Sequence, residues 1–197
     1  VSSGAEMNVN AANFSGTVTN NGTITCGDGA VTFGETTNSG GITCSTTTTV
    51  FNGTVTVLTG GTITGSTGTA EFKSTVTNNG TITGDSGAIK FRENVTNDGK
   101  IIGASGEITF SGTYGSSTNA TAELTASSSG NTYFSSDADF SYTTFTANSG
   151  TVVFNSSADA ELTLTTNEQP FNNVTLPDTG TTSVLKVNGT FNINGTL

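Results

Sequence analysis

Residues 75–93 read TVTNNGTITGDSGAIKFRE, and residues 17–35 read TVTNNGTITCGDGAVTFGE. The two stretches align without a gap. In the first, Thr75-Val76-Thr77 and Thr81-Ile82-Thr83 alternate polar and apolar residues, the period of a half-buried strand. Between them Asn78-Asn79-Gly80 offers residues that tolerate positive φ, which predicts a sharp corner. Gly87 marks a second corner, and Ile89 and Phe91 form a third apolar alternation. Three short strands and three corners in about 19 residues describe one coil of a triangular β-solenoid. Asn-Gly between strands is also the mark of an antiparallel hairpin.

The register across the whole chain decides between the two. Phenylalanine returns at Phe14, Phe33, Phe51, Phe72, Phe91, Phe110, Phe134, Phe154, Phe171 and Phe191, at intervals of 17 to 24 residues. Nine residues before a phenylalanine stand Ile24, Ile42, Ile63, Ile82 and Ile101, and eleven before stand Gly22, Gly40, Gly61, Gly80 and Gly99. Hairpins do not require one residue type at one offset in every unit, whereas parallel in-register stacking does. The expected fold is therefore all-β, a parallel β-solenoid of about 19–20 residues per coil and about ten coils. No helical periodicity is evident. Ile24, Ile42, Ile63, Ile82, Ile101 and the series Phe33, Phe51, Phe72, Phe91, Phe110 are expected to stack along the axis as the core. Each buried Ile or Phe contributes about 1.5–3 kcal/mol, which explains how a chain only 31% apolar can fold.

The 197 residues suit one domain. Residues 1–13 lack a clear place in the register and read as an N-terminal edge strand or a donor segment. Regular coils span 14–110, a longer coil with an insertion spans 111–133, and less regular coils span 134–197. In this last part Phe145 and Leu162 keep the position nine before the next phenylalanine. A bulge is expected near Tyr114 to Ser129, and Pro170 and Pro177 fall where the corners differ.

Five Lys and Arg against 15 Asp and Glu give a net charge of −10, which argues against nucleic acid as a partner. No apolar run reaches the roughly 18 residues of a membrane span. Ser and Thr supply 65 residues, and polar, lysine-poor surfaces of this kind suit a secreted protein. The chain starts at Val1 and not at Met, as expected after removal of a secretion signal or shortening of the chain.

Catalytic chemistry is poorly represented. Without histidine, Ser-His-Asp and Cys-His arrangements are impossible and zinc lacks its usual ligand. The carboxylate pairs Asp137/Asp139 and Asp159/Glu161 each share one strand face, and solvated surface groups are the simpler reading of both. Asp28, Asp85 and Asp98 stand beside corner glycines as turn formers. The acidic corners permit Ca²⁺, but no EF-hand-like loop indicates it. No phosphate-binding glycine motif occurs. No enzymatic activity and no cofactor are expected.

Cys26 and Cys44 are one coil apart. Adjacent rungs place them about 4.8 Å apart, within the Cα separation a disulfide accepts, so a disulfide is the expectation and a pair of small buried thiols the alternative. Asn-x-Ser/Thr sequons begin at Asn13, Asn21, Asn52, Asn79, Asn94, Asn119, Asn155, Asn173, Asn188 and Asn194. They are candidates for N-glycosylation where exposed, a weak signal in so Ser/Thr-rich a chain.

Units such as TVTNNGTITGDSGAIKF and NVTNDGKIIGASGEITF resemble the right-handed β-helical repeats of secreted bacterial adhesins, autotransporter passengers and filamentous-haemagglutinin-like surface proteins. The C-terminal FNNVTLPDTGTTSVLKVNGTFNINGTL resembles the same class. The resemblance covers about Phe14 to Leu197 and implies a right-handed solenoid with an exported, cell-surface, structural or adhesive role. No secretion domain or outer-membrane barrel of that group is evident.

A solenoid exposes strand edges at both ends, which natural examples usually cover with a polar cap. Here both ends read as strands, and neither shows a helix pattern. Thirteen residues precede Phe14 and six follow Phe191, so a head-to-tail joint restores a phenylalanine spacing of 20. The expected function is that of a structural subunit stacking head to tail into an extracellular fibre, through Met7, Val9 and Phe14 at one end and Phe191, Ile193 and Leu197 at the other. The alternative is a monomeric adhesin or a glycan- or ice-binding module, using Thr-x-Thr arrays such as Thr62/Thr64 and Thr81/Thr83. A β-helical polysaccharide-active enzyme ranks third.

Overall fold

The computed structural model describes residues 1–117, 121–156, 161–166, 169–176 and 184–197. Every strand pair in it is parallel, and no helix occurs among the described residues. Three sheets wrap one axis as a β-solenoid of about nine turns of roughly 20 residues. Ten phenylalanines had suggested about ten coils; ten markers bound only nine complete turns. The isoleucine face has eight strands, from Glu6–Val9 to Thr143–Thr146, and the phenylalanine face nine, from Ala12–Phe14 to Asn173–Thr175. The valine face has nine, from Val18–Asn20 to Val184–Asn188, and Pro170–Phe171 pairs with Asn192–Ile193 in a separate two-stranded sheet.

Register is in phase because each strand puts one or two apolar side chains inward, and a slip of one residue would turn them outward. Ile24 pairs with Ile42, Ile42 with Ile63, Ile63 with Ile82 and Ile82 with Ile101. Leu124 and Phe145 continue that column. The phenylalanine column runs from Phe14 to Phe154 with rings stacked at 4.6 to 5.7 Å, the offset arrangement that ring quadrupoles favour. Phe33, Phe51, Phe72, Phe91 and Phe110 are fully buried.

Phe171 leaves this column. Its ring packs on Phe145 at 4.8 Å and its backbone pairs with Ile193, so it extends the isoleucine column. Val174 stands over Val152 on the phenylalanine face, two residues before the position above Phe154. Leu162 is also displaced from its expected place: it pairs with Leu185 on the valine face.

The corners differ from the sequence expectation too. Among the described residues, positive φ occurs only at Gly4, Gly60, Gly189 and Asn148, and not in the Asn-Asn-Gly corners. Glycine is needed there for close vertical approach. A Cβ on Gly80 would strike the carbonyl oxygen of Gly61, and one on Gly99 that of Gly80. The first asparagine of each corner is buried. Asn20 donates from Nδ2 to Asn38 Oδ1 at 2.8 Å and to the Gly41 carbonyl at 2.9 Å. Asn78 repeats this with Asn97 and Lys100, and Val57 separates the two pairs.

The long coil keeps its register. Ile101 pairs with Leu124, although Tyr114 to Leu124 spans ten residues where Val95 to Ile101 spans six. Most of the insertion therefore falls between the valine and isoleucine faces.

Candidate functional site

The two terminal rungs carry the residues singled out for assembly. At the N-terminal end Glu6–Val9 lies on Thr23–Cys26, with Met7 over Ile24 and Val9 over Cys26. Ala12–Phe14 lies on Val31–Phe33. The Val1 ammonium donates to the Thr19 carbonyl at 2.6 Å, and the Val1 carbonyl accepts from Asn21 N–H at 2.8 Å. Within the single chain, then, the strands Glu6–Val9 and Ala12–Phe14 form an edge rung docked in register on the rung that follows. Their apolar alternation was harder to read because Met7 replaces isoleucine and Ala12 replaces a larger residue.

At the other end Val174 N–H donates to the Thr196 carbonyl at 2.8 Å, which sets Leu197 over Val174 in parallel register. Phe191 packs edge-on against Phe171 at 5.1 Å. Met7 therefore opens the column that Ile193 closes, and Ala12 opens the column that Leu197 closes. Both ends are sheet edges. Four of the six exposed large apolar side chains among the described residues lie there, Met7 at 37%, Leu176 at 45%, Val184 at 51% and Leu197 at 76%, while Leu58 and Tyr142 lie along the body. Val9, Phe14, Phe191 and Ile193 are partly buried against the core. An apolar side chain at the end of a stacked column has a partner on one side only, and loses dispersion contacts on the other.

The remaining candidate residues are distributed along the body. Cys26 and Cys44 are free, buried thiols, which corrects the disulfide expectation. Side chains stacked in register keep the strand spacing of about 4.8 Å, wider than the Cβ separation of about 3.5–4.5 Å that a disulfide needs. Burial is the main reason both thiols titrate high. Cys26 is pushed up to about 11 and Cys44 to about 12, the latter raised further by Cys26, while a hydrogen bond with Thr49 opposes the shift in both. Neither is a thiolate nucleophile near neutral pH.

Of the sequons, Asn21, Asn52 and Asn94 are exposed and Asn79 is half-buried, while Asn119 lies outside the described residues. Asn21 Oδ1 accepts from Ser39 Oγ at 2.6 Å, and Asn94 Oδ1 from Thr113 N–H at 3.0 Å. Asp137 and Asp139 are both exposed on the valine face; Asp159, the expected partner of Glu161, is outside the described residues. Asp98 accepts from Ser117 N–H at 2.6 Å and Ser117 Oγ at 2.7 Å, and so ties two rungs together. Among the described residues no group of three or more His, Cys, Asp or Glu side chains converges as a metal site. No described helix is long and apolar enough to cross a membrane.

No protein-family profile, curated protein or solved structure matches this chain.

Proposed function

We propose that this protein is a structural subunit of an extracellular fibre, and that the partner of its terminal rungs is a second copy of the same chain. The observation that carries this reading is the pair of open columns: Ile193 and Leu197 end at one face what Met7 and Ala12 begin at the other. Stacking one subunit on the next covers the exposed Leu197 and Met7 and gives the edge strands backbone partners. The contact is heterologous, so it propagates into a filament unless rotation closes a ring. Export to the cell surface rests on the repeat resemblance and on the acidic, hydroxyl-rich composition.

The test is assembly of end variants. Met7→Lys and Leu197→Lys each place a charge at the end of an apolar column, away from the central rungs. Each is expected to leave the fold intact by circular dichroism and to abolish filaments in electron micrographs. Filaments that persist in the double variant would refute end-to-end stacking.

A second reading is a monomeric surface-binding module. It is favoured by the in-register threonines of the isoleucine face, where Thr62 and Thr64 pair with Thr81 and Thr83, and Thr25 with Thr43. Gly41 interrupts that array beside Thr62.

A further inference from the structure

The outward column of the valine face is threonine for five consecutive rungs: Thr19, Thr37, Thr56, Thr77 and Thr96. The next rung carries Gly115. This glycine differs from those of the corners. As at Gly80 and Gly99 its φ is not positive, but unlike theirs a Cβ built on it would meet nothing closer than the Asp139 Cβ at 3.8 Å. Neither backbone conformation nor close packing requires a glycine there. What it leaves is space: Gly115 lines an open groove of about 590 Å³ that Thr96 and Asp139 also border.

The groove is polar and its walls are held in place. Asp139 Oδ1 accepts from Ser141 N–H at 2.8 Å, and Asp137 Oδ1 from Thr163 N–H at 2.6 Å. Ser117, two residues beyond Gly115 in the lining, is fixed by its two bonds to Asp98. The lining combines carboxylates with threonine and serine hydroxyls, and it contains no Lys or Arg. Tyr114, beneath, is turned into the core, where Asn97 donates to its hydroxyl at 3.1 Å. The groove thus offers strong acceptors and adaptable hydroxyls, but no aromatic platform and no cation for an anionic group.

We propose that this notch binds a neutral saccharide, whose hydroxyls donate to Asp137 and Asp139 and exchange hydrogen bonds with Thr96 and Ser117. Uronic and sialic acids are excluded by like-charge repulsion. The notch lies on the side of the solenoid, so this inference does not rest on the fibre reading and is tested equally well on single subunits.

The whole chain is titrated with cellobiose, maltose and diacetylchitobiose by saturation-transfer NMR, with spermidine and a galacturonate oligomer as charged comparators. At least one neutral disaccharide is expected to bind. Gly115→Thr, which restores the threonine column and narrows the notch, is expected to weaken that binding about tenfold or more at unchanged melting temperature, and Asp139→Asn to do the same. Immobilised neutral glycans then separate a surface glycan from a free sugar as the source: retention of wild type but not Gly115→Thr assigns the former, and binding of free disaccharide alone the latter. The proposal is overturned if no neutral sugar binds, if Gly115→Thr binds as wild type does, or if spermidine or galacturonate is the sole ligand.

Discussion

Asn78 donates from Nδ2 to Asn97 Oδ1 at 2.7 Å, and both side chains are wholly shut off from solvent. Asn97 passes the chain on, donating to the Tyr114 hydroxyl at 3.1 Å and to the Glu123 carbonyl at 3.0 Å. A buried amide is tolerated because each rung supplies the acceptor its neighbour needs. Asn97→Ala is expected to cost about 1–3 kcal/mol by leaving buried polar groups without partners. Asn97→Val should cost less, since Val57 already fills the equivalent position between Asn38 and Asn78. Chemical denaturation of the two variants checks the order; equal stability of Asn97→Ala and wild type would contradict it.

Phe91 stacks between Phe72 and Phe110, with ring centroids 4.9 and 5.0 Å away. Phe91→Ala is expected to lose about 3–5 kcal/mol, the usual cost of deleting a buried aromatic. Because each rung touches mainly its neighbours, hydrogen exchange should rise first in the strands around Phe72 and Phe110.

Two glycines give a paired test of the corner geometry. A Cβ on Gly80 would run into the Gly61 carbonyl, whereas one on Gly115 has room. Gly80→Ala should destabilise by about 1–3 kcal/mol through overpacking, and Gly115→Ala should leave the melting temperature within error. Equal effects would mean that the corners yield more easily than their packing implies.

The buried thiols and Tyr114 make stability depend on alkaline pH. Burial raises Cys26 from 9.0 to about 11 and Cys44 from 9.0 to about 12. Tyr114 rises from 10.0 to about 12 through burial, opposed by its hydrogen bonds with Thr143 and Asn97 and aided slightly by Asp98. Between these pairs of values the unfolded chain has released protons that the folded chain retains, so stability falls as pH rises. Their contribution is fully present below about pH 9 and is lost through about pH 11–12. Replacing both cysteines with Ala should flatten the part of the decline that begins near pH 9, as read from melting temperature against pH.

The columns of Ile24 to Ile101 and Phe33 to Phe110 were legible because stacked rungs repeat one residue type at one offset. The asparagine columns were hidden by the same residues' suitability for turns: Asn20 and Asn78 look like corner formers, and only the third dimension shows them facing inward. Phe171 misled for a related reason. Phenylalanine fits either inner column, so with Phe145 in the isoleucine column, Phe171 on the following rung could stack on it there. Of the terminal rungs, the strand character was readable, but the match of Met7 with Ile193 and of Ala12 with Leu197 required the register. The notch at Gly115 gave no signal in the sequence, where a glycine in a strand reads as one more corner.

End-to-end stacking is tested most directly by helical reconstruction from cryo-electron micrographs of the purified chain. The expected result is filaments whose subunits repeat every nine to ten rungs, an axial rise of about 43–48 Å, with Leu197 and Ile193 seated against Ala12 and Met7 of the next copy. Discrete particles at every concentration, or filaments joined through the sides of the solenoid, would contradict it.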